Sequence, residues 1–234
     1  MFIKKYNKNS DLLKYKGRLV AKGCSQRPGH DYQETYSPVV RMETLHMILV
    51  IAVIKSDSIL QMDVKRAYLN GTLKEKVYMM QPEGHDDGTG CVCLLVKMLY
   101  GLKQSGREWN IELDSKLKKY RFTRLKSNPC VYTRCNAKNI AILTVWVDDL
   151  MLFTSSDEIL KSVKIQLSTE WEITDLGEPA KIIGIEITRI LDEIKISQEK
   201  YIDSILKREG MESANPVSML MDANDKLKPN PDGN

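Results

Sequence analysis

No apolar run in the chain is long enough to cross a bilayer as a helix: the longest, 47–54, falls far short of the roughly 18 residues required. The opening residues, Met-Phe-Ile-Lys-Lys-Tyr-Asn-Lys, lack the apolar segment and small-residue cleavage site of a secretory leader. The expectation is an intracellular protein, not secreted and with no membrane partner. Cysteine is sparse and its count is odd. Cys24, Cys91, Cys93, Cys130 and Cys135 show no disulfide-framework spacing. Cys91 and Cys93 share one side of a candidate strand, but a zinc site needs two more ligands, and His30, His46 and His85 have no paired spacing. The cysteines therefore read as free thiols. No internal repeat occurs. What is present, 42% hydrophobic and 28% charged residues over 234 positions, is the composition of a folded chain of one large or two small domains.

The net charge of +4 is unevenly spread. From the N-terminus to Arg41, lysine and arginine far outnumber the three acids Asp11, Asp31 and Glu34. A second basic cluster comprises Lys116, Lys118, Lys119, Arg121, Arg124 and Lys126. Such patches suit an anionic partner, nucleic acid being the common one, and equally suit a solvated face.

Taken in order, residues 12–23 read as a basic strand closed by glycine, and 26–38 as a loop. Apolar spacing at Met42, Leu45, Ile48, Leu49, Ala52 and Val53 predicts a helix over 42–55, capped near Glu43 or Thr44. A strand over 58–67 ends in a polar elbow beyond Asp63. Short strands are expected at 77–81 and 91–96, around a loop rich in Gly and Asp. The longest helical candidate is 99–122, with Trp109, Leu113 and Leu117 on one stripe. A helix at 156–171, capped by Ser156 or Asp157, a hairpin over 181–196 turning at Leu191 and Asp192, and a helix at 198–208 follow.

Between these helices lies 140–155, two apolar β-prone runs that flank Asp148 and Asp149. This is a hairpin with two carboxylates near its tip. Acids at a tip are also ordinary turn chemistry. Adjacent like charges in apolar surroundings repel, however, and a hard divalent cation is one reason for them to be there. Asp63, at the end of another apolar strand, is a third acid able to converge on the same sheet edge. Carboxylates so gathered can hold two divalent ions about 3.5–4 Å apart for an in-line phosphoryl transfer. Lys65, Arg66 and Tyr68 follow Asp63 directly, and Lys16, Arg18 and Lys22 lie on the basic strand.

The motifs Lys-Gly-Arg-Leu-Val-Ala-Lys-Gly from 16, Gln-Met-Asp-Val-Lys-Arg-Ala-Tyr from 61, Leu-Tyr-Gly-Leu-Lys-Gln from 99, Trp-Val-Asp-Asp from 146 and Asp-Leu-Gly-Glu from 175 occur in one order. Together they resemble the reverse transcriptase domain of copia-type (Ty1/copia) LTR retrotransposon Pol polyproteins, over roughly 12–222. The resemblance implies an α+β fold, the right-hand polymerase palm of antiparallel strands backed by helices. Fingers fall at about 1–60 and 72–98, palm at about 58–71 and 99–190, the start of a thumb at about 191–222, and a linker or disordered tail at 223–234. It implies RNA-directed DNA polymerase activity: template-directed addition of dNTPs to a primer 3′-hydroxyl with two Mg2+ (or Mn2+) ions. Catalytic acids fall on Asp63, Asp148 and Asp149, with metal ligands Asp63, Asp148, Asp149 and the Val64 carbonyl. Nucleotide contacts fall on Lys16, Arg18, Lys22, Lys65, Arg66, Tyr68 and Gln104. Tyr68 is the residue expected to exclude a ribose 2′-hydroxyl, and Trp146 meets primer or template.

Implied partners are an RNA template, a DNA primer strand, dNTPs and the integrase and RNase H domains of a parent polyprotein. The implied setting is the cytoplasm, within virus-like particles, or the nucleus. Two departures stand out: Trp146 where the family has Tyr, and Ser105-Gly106 where it has Ala-Pro, which is expected to loosen the turn before the helix. The start, within a Phe-Lys-Ile-Lys-like strand, reads as N-terminally truncated. The alternative is therefore an inactive retrotransposon remnant retaining only nucleic-acid binding. On the acids alone, a two-metal nuclease is a further rival.

Overall fold

A computed structural model describes residues 2–6, 11–136, 139–191 and 193–217. Its centre is a six-stranded antiparallel sheet in the order β10-β3-β9-β8-β7-β6. The strands are β3 (Ser58–Val64), β6 (Thr123–Arg124), β7 (Val131–Cys135), β8 (Ile140–Trp146), β9 (Asp149–Thr154) and β10 (Ile173–Gly177). Among the described residues four helices accompany it: α1 (Met42–Ile54), α2 (Ser105–Lys119), α3 (Asp157–Glu170) and α4 (Glu199–Arg208). Two-stranded ribbons β1 (Phe2–Tyr6) with β2 (Leu12–Gly17) and β4 (Tyr78–Met80) with β5 (Val92–Leu94) lie outside it, as does the three-stranded β11 (Lys181–Ile182), β12 (Ile185–Ile190) and β13 (Glu193–Ser197). The α+β expectation holds.

The central strands are apolar on both faces because both faces are covered. In β9 every residue from Leu150 to Thr154 is buried, and in β3 Ile59, Leu60, Gln61, Met62 and Val64 are. They share one core with Leu45, Ile48 and Leu49 of α1, Trp109, Leu113 and Leu117 of α2, and Ile159, Val163 and Leu167 of α3. Burying each such side chain contributes about 1.5–3 kcal/mol. A smaller cluster joins Ala21, Val77, Met98 and Leu102 beneath the first basic segment.

Several boundaries differ from the expectations, for identifiable reasons. Arg41, not Glu43 or Thr44, holds the N-cap position of α1; Thr44 sits inside the helix and accepts a hydrogen bond from Asn128 at 3.0 Å. The helix expected from residue 99 begins at Ser105, because the Tyr100 carbonyl is used to accept the Ala21 N–H at 2.8 Å. Ser105 and Gly106 therefore lie within the first turn of α2 and not before it. Ser105 Oγ closes onto the Leu99 carbonyl at 2.6 Å. The run 181–188 is broken by a turn at Ile183 and Gly184, both with positive φ. β10, for which the sequence carries no strand pattern, is an edge strand paired with β3. Ser156 caps α3 as expected, accepting from the Ile159 N–H at 3.3 Å. Asp192 and the tail at 223–234 lie outside the described residues.

Lys116, Lys118, Lys119 and Arg124 of the second basic cluster are paired within the chain. Glu170 binds Lys116 at 2.7 Å and Lys119 at 2.6 Å, and accepts the Tyr120 hydroxyl at 2.6 Å. Asp114 takes Lys118 at 2.6 Å and the Tyr132 hydroxyl at 3.0 Å. This patch ties α2 to α3.

Hydrogen bonds from Lys116, Lys119 and Tyr120 hold the Glu170 carboxyl down to about 2. A depressed carboxylate stabilises the fold above its unfolded value and loses that contribution as pH falls through its folded one. Glu170→Gln is therefore expected to lower the melting temperature at pH 7 by about 2–4 °C, in proportion to a loss near 1 kcal/mol. The gap should narrow as pH drops from 4.5 towards about 2, which calorimetry across that range checks.

Candidate active site

Register brings the acids together. Asp63 of β3 pairs directly with Asp149 of β9, which pairs with Trp146 of β8, while Thr174 of β10 pairs with Asp63 on its other side. Directly paired residues of an antiparallel sheet point to the same face. Trp146, Asp149, Asp63 and Thr174 thus form one rung, and Gln61, two residues before Asp63, shares its face. Gln61 donates to Asp149 Oδ1 at 3.4 Å. A small cavity on this side is lined by Gln61, Trp146 and Asp149 together with Leu45 of α1 and Ile182 and Ile183.

Asp148 occupies the tight turn between β8 and β9, after Val147 with φ of 56°. Its carbonyl accepts the Val64 N–H at 2.8 Å, which extends the β3 ladder past the strand end. The Val147 carbonyl accepts the indole N–H of Trp109 at 2.6 Å.

Burial raises the Asp148 carboxyl above the ordinary carboxylate range, and Asp63 adds to the rise, while Arg18 and Lys16 work against it. Asp149 is also raised, by burial first and then by Asp148 and Asp63, with the Gln61 hydrogen bond opposing. Asp148 and Asp149 therefore both feel Asp63. Among the described residues, however, no three or more His, Cys, Asp or Glu side chains are gathered closely enough to hold an ion by themselves.

Around the acids stand the other candidates. Tyr68 lies in a 3₁₀ turn, Ala67–Asn70, and its ring meets Tyr100 at 4.8 Å between centroids. Burial and Asp148 raise its hydroxyl. Arg18 stacks over Tyr100 at 5.3 Å. The turn sits close to α2 because Gly71 leaves room: a Cβ there would be 3.1 Å from the Trp109 backbone nitrogen. Gly101, with φ of 92°, lets the basic segment dock, since a Cβ would fall 2.1 Å from the Ala21 carbonyl oxygen.

Some candidates are engaged elsewhere. Lys65 binds Glu172 at 2.6 Å, and Arg66 pairs with the same carboxylate. Gln104 is 1% exposed; it accepts from Gln26 at 3.0 Å and donates to the Asp31 carbonyl at 2.9 Å. Its amide braces the 26–31 loop. Lys22 precedes the 3₁₀ turn Gly23–Ser25. Val64 closes β3. Sequence reasoning assigned no site role to Gln61, Trp109, Tyr100 or Glu172. Strand alternation signals Gln61, two residues from Asp63; the others carry no local signal.

Comparison with known proteins supports a family assignment. A family model described as "Reverse transcriptase (RNA-dependent DNA polymerase)" matches residues 1–223. The chain is 40% identical over 230 residues to the retrovirus-related Pol polyprotein from transposon TNT 1-94 of Nicotiana tabacum, covering 95% of this chain and 17% of that protein. To the Pol polyprotein from transposon RE1 of Arabidopsis thaliana it is 39% identical over 229 residues, covering 97% and 16%. It thus spans a small part of the length of these relatives. A solved structure of apo telomerase from Candida tropicalis has a TM-score of 0.40 at 14% identity, covering 69% of this chain and 41% of that one. That likeness is too slight to carry an argument.

The raised carboxyls generate a stability prediction. A carboxyl raised by folding holds its proton more tightly in the folded state, so the folded state loses stability as pH rises through that raised value. Asp149→Asn keeps an acceptor for Gln61 and removes the charge. In EDTA-treated buffer it is expected to melt about 1–4 °C higher than the parent at pH 7. The difference should disappear as pH falls below the ordinary carboxylate value. A variant that melts lower at pH 7 contradicts this account.

Proposed function

Since the chain belongs to the reverse transcriptase (RNA-dependent DNA polymerase) family and is similar to Pol polyproteins of copia-type elements, we propose that it extends a DNA primer along an RNA template, with the rung at Asp63 and Asp149 and the adjoining Asp148 as its catalytic centre. The observation that carries this reading is the direct pairing of Asp63 with Asp149, beside Asp148 on a turn tied to β3.

The family generally depends on divalent metal ions, and the donor set here suits one. Half-buried carboxylates raised by burial and by neighbouring acids, as Asp148 and Asp149 are, are stabilised by a hard cation, and Mg2+ characteristically takes one or two protein carboxylates, completing its shell with substrate phosphates and water. We assign Asp63 and Asp148 as principal ligands, with Asp149 and the Val64 carbonyl assisting, for two Mg2+ or Mn2+ ions. When bound, such ions supply electrostatic stabilisation of the attacking and leaving oxygens.

The chain's own groups then divide the remaining work. Lys16 and Arg18 take the triphosphate, because their charge already bears on Asp148. Lys65 and Arg66, paired with Glu172, are the next candidates for the same contact. Lys22 extends the basic run. Tyr68, braced by Tyr100, lies under the sugar and rejects a 2′-hydroxyl. Trp146, beside Asp149 on the rung, meets the primer terminus, and Gln104 shapes the nucleotide pocket through the loop it braces. Template and primer are gripped through phosphates, so binding should weaken with salt.

Primer extension on poly(rA)/oligo(dT) with MgCl2 tests the reading. The 234-residue chain is expected to incorporate dTTP, and Asp148→Asn to lose activity by a factor on the order of 10³ or more, as when a principal electrostatic contributor is removed. Salt-sensitive template binding with no incorporation under any condition would sink the polymerase reading. Thermal denaturation supplies a second readout: millimolar MgCl2 or MnCl2 should raise the melting temperature of the parent and leave Asp63→Asn and Asp148→Asn much less affected.

A further inference from the structure

We infer that Trp109 is a positioning residue for the acidic turn, its indole N–H holding Val147 in the left-handed conformation from which Asp148 is presented. Three observations meet here. Val147 has φ of 56°, a region that β-branched side chains enter only when their surroundings force them. Its carbonyl accepts from Trp109 Nε1 at 2.6 Å. The next carbonyl, that of Asp148, accepts the Val64 N–H at 2.8 Å.

Those two carbonyls belong to the peptide planes on either side of the Asp148 Cα. Fixing both planes fixes the direction of the Cα–Cβ bond, and with it the place of the carboxylate. One plane is held by β3, which also carries Asp63. The other is held by α2, which carries nothing else named for the chemistry. Trp109 is 2% exposed and packs edge to face on Trp171 at 5.2 Å between centroids. Its ring is thereby oriented, and a buried indole N–H without a partner is penalised, so the bond to Val147 satisfies both ends. Were Trp109 only a member of the stripe with Leu113 and Leu117, a ring without a donor would serve as well.

That distinction sets the test, made on the 234-residue chain. Trp109→Phe keeps an aromatic ring and deletes the donor. Amide hydrogen exchange followed by NMR is expected to accelerate about 10- to 100-fold at Val64, where the ladder reaches Asp148, while amides of Leu113 and Leu152 stay within about threefold. The catalytic arm rests on the polymerase reading above. There Trp109→Phe is expected to lower kcat about 10- to 100-fold with KM for dTTP within about threefold, since a small misplacement of a reacting group acts on the chemical step.

Val147→Gly supplies the decisive control. Glycine enters the left-handed region without penalty, so the further loss from Trp109→Phe in that background should shrink to about threefold or less. The inference is overturned if Val64 exchange is unchanged, if all core amides accelerate together, or if the two substitutions act independently. Should the parent chain extend no primer, the polymerase reading fails, and the exchange arm still decides for or against Trp109.

Discussion

The antiparallel pairing of β3 with β9 is the constraint on which the rest of the structure depends. Its register runs from Ser58 opposite Thr154 to Asp63 opposite Asp149, so it sets the floor of the core and the position of two acids at once. A slip by one residue would turn Met62 and Leu150 out of their face and put Asp63 and Asp149 in their places. Burial of both strands prevents the slip. Each apolar residue on the strands holds the register, and the register holds the carboxylates where the apolar stretch ends.

Like charges placed so closely work against the fold. Asp148 and Asp149 are raised by burial and by neighbouring acids, and Val147 occupies a conformation its side chain disfavours. Proteins concentrate such strain at functional sites and offset it with surrounding packing. Here the compensation is visible in the covered sheet, in the Trp109 and Trp171 contact and in the ion pairs that tie α2 to α3 through Glu170. Those same pairs explain why a conspicuous lysine cluster is part of the scaffold. Positive charge nearer the site comes instead from Lys16 and Arg18, on a segment docked by its backbone to the Tyr100–Gly101 turn.

Much of the architecture was legible in residue patterns. The apolar runs around Asp148 and Asp149 read as the hairpin they form, and the stripe from Ile159 to Leu167 reads as α3 with its Ser156 cap. The departures have two causes, pairing with distant segments and local turn geometry. Helix α2 starts later than its pattern suggests because the backbone at Tyr100 is committed to the distant segment at Val20 and Ala21. The run from Lys181 breaks at Ile183 and Gly184 into a turn, and β10 gains its strand identity by pairing with β3. The partners at Tyr100 and at β10 are distant in sequence, whereas the turn at Ile183 and Gly184 is closed locally, with Ile182 pairing with Ile185.

The sequence by itself determined the family, most of the order of elements and the placing of Asp63, Asp148 and Asp149 at strand ends, because motifs and periodicity are local properties of the chain. The tertiary structure alone decided that Asp63 and Asp149 share a rung, that Glu172 takes Lys65 and Arg66, that Gln104 is buried in a brace, and that Trp109 grips Val147. These depend on register and on helix placement across long separations. Only the packed core, which excludes every other register, chooses them.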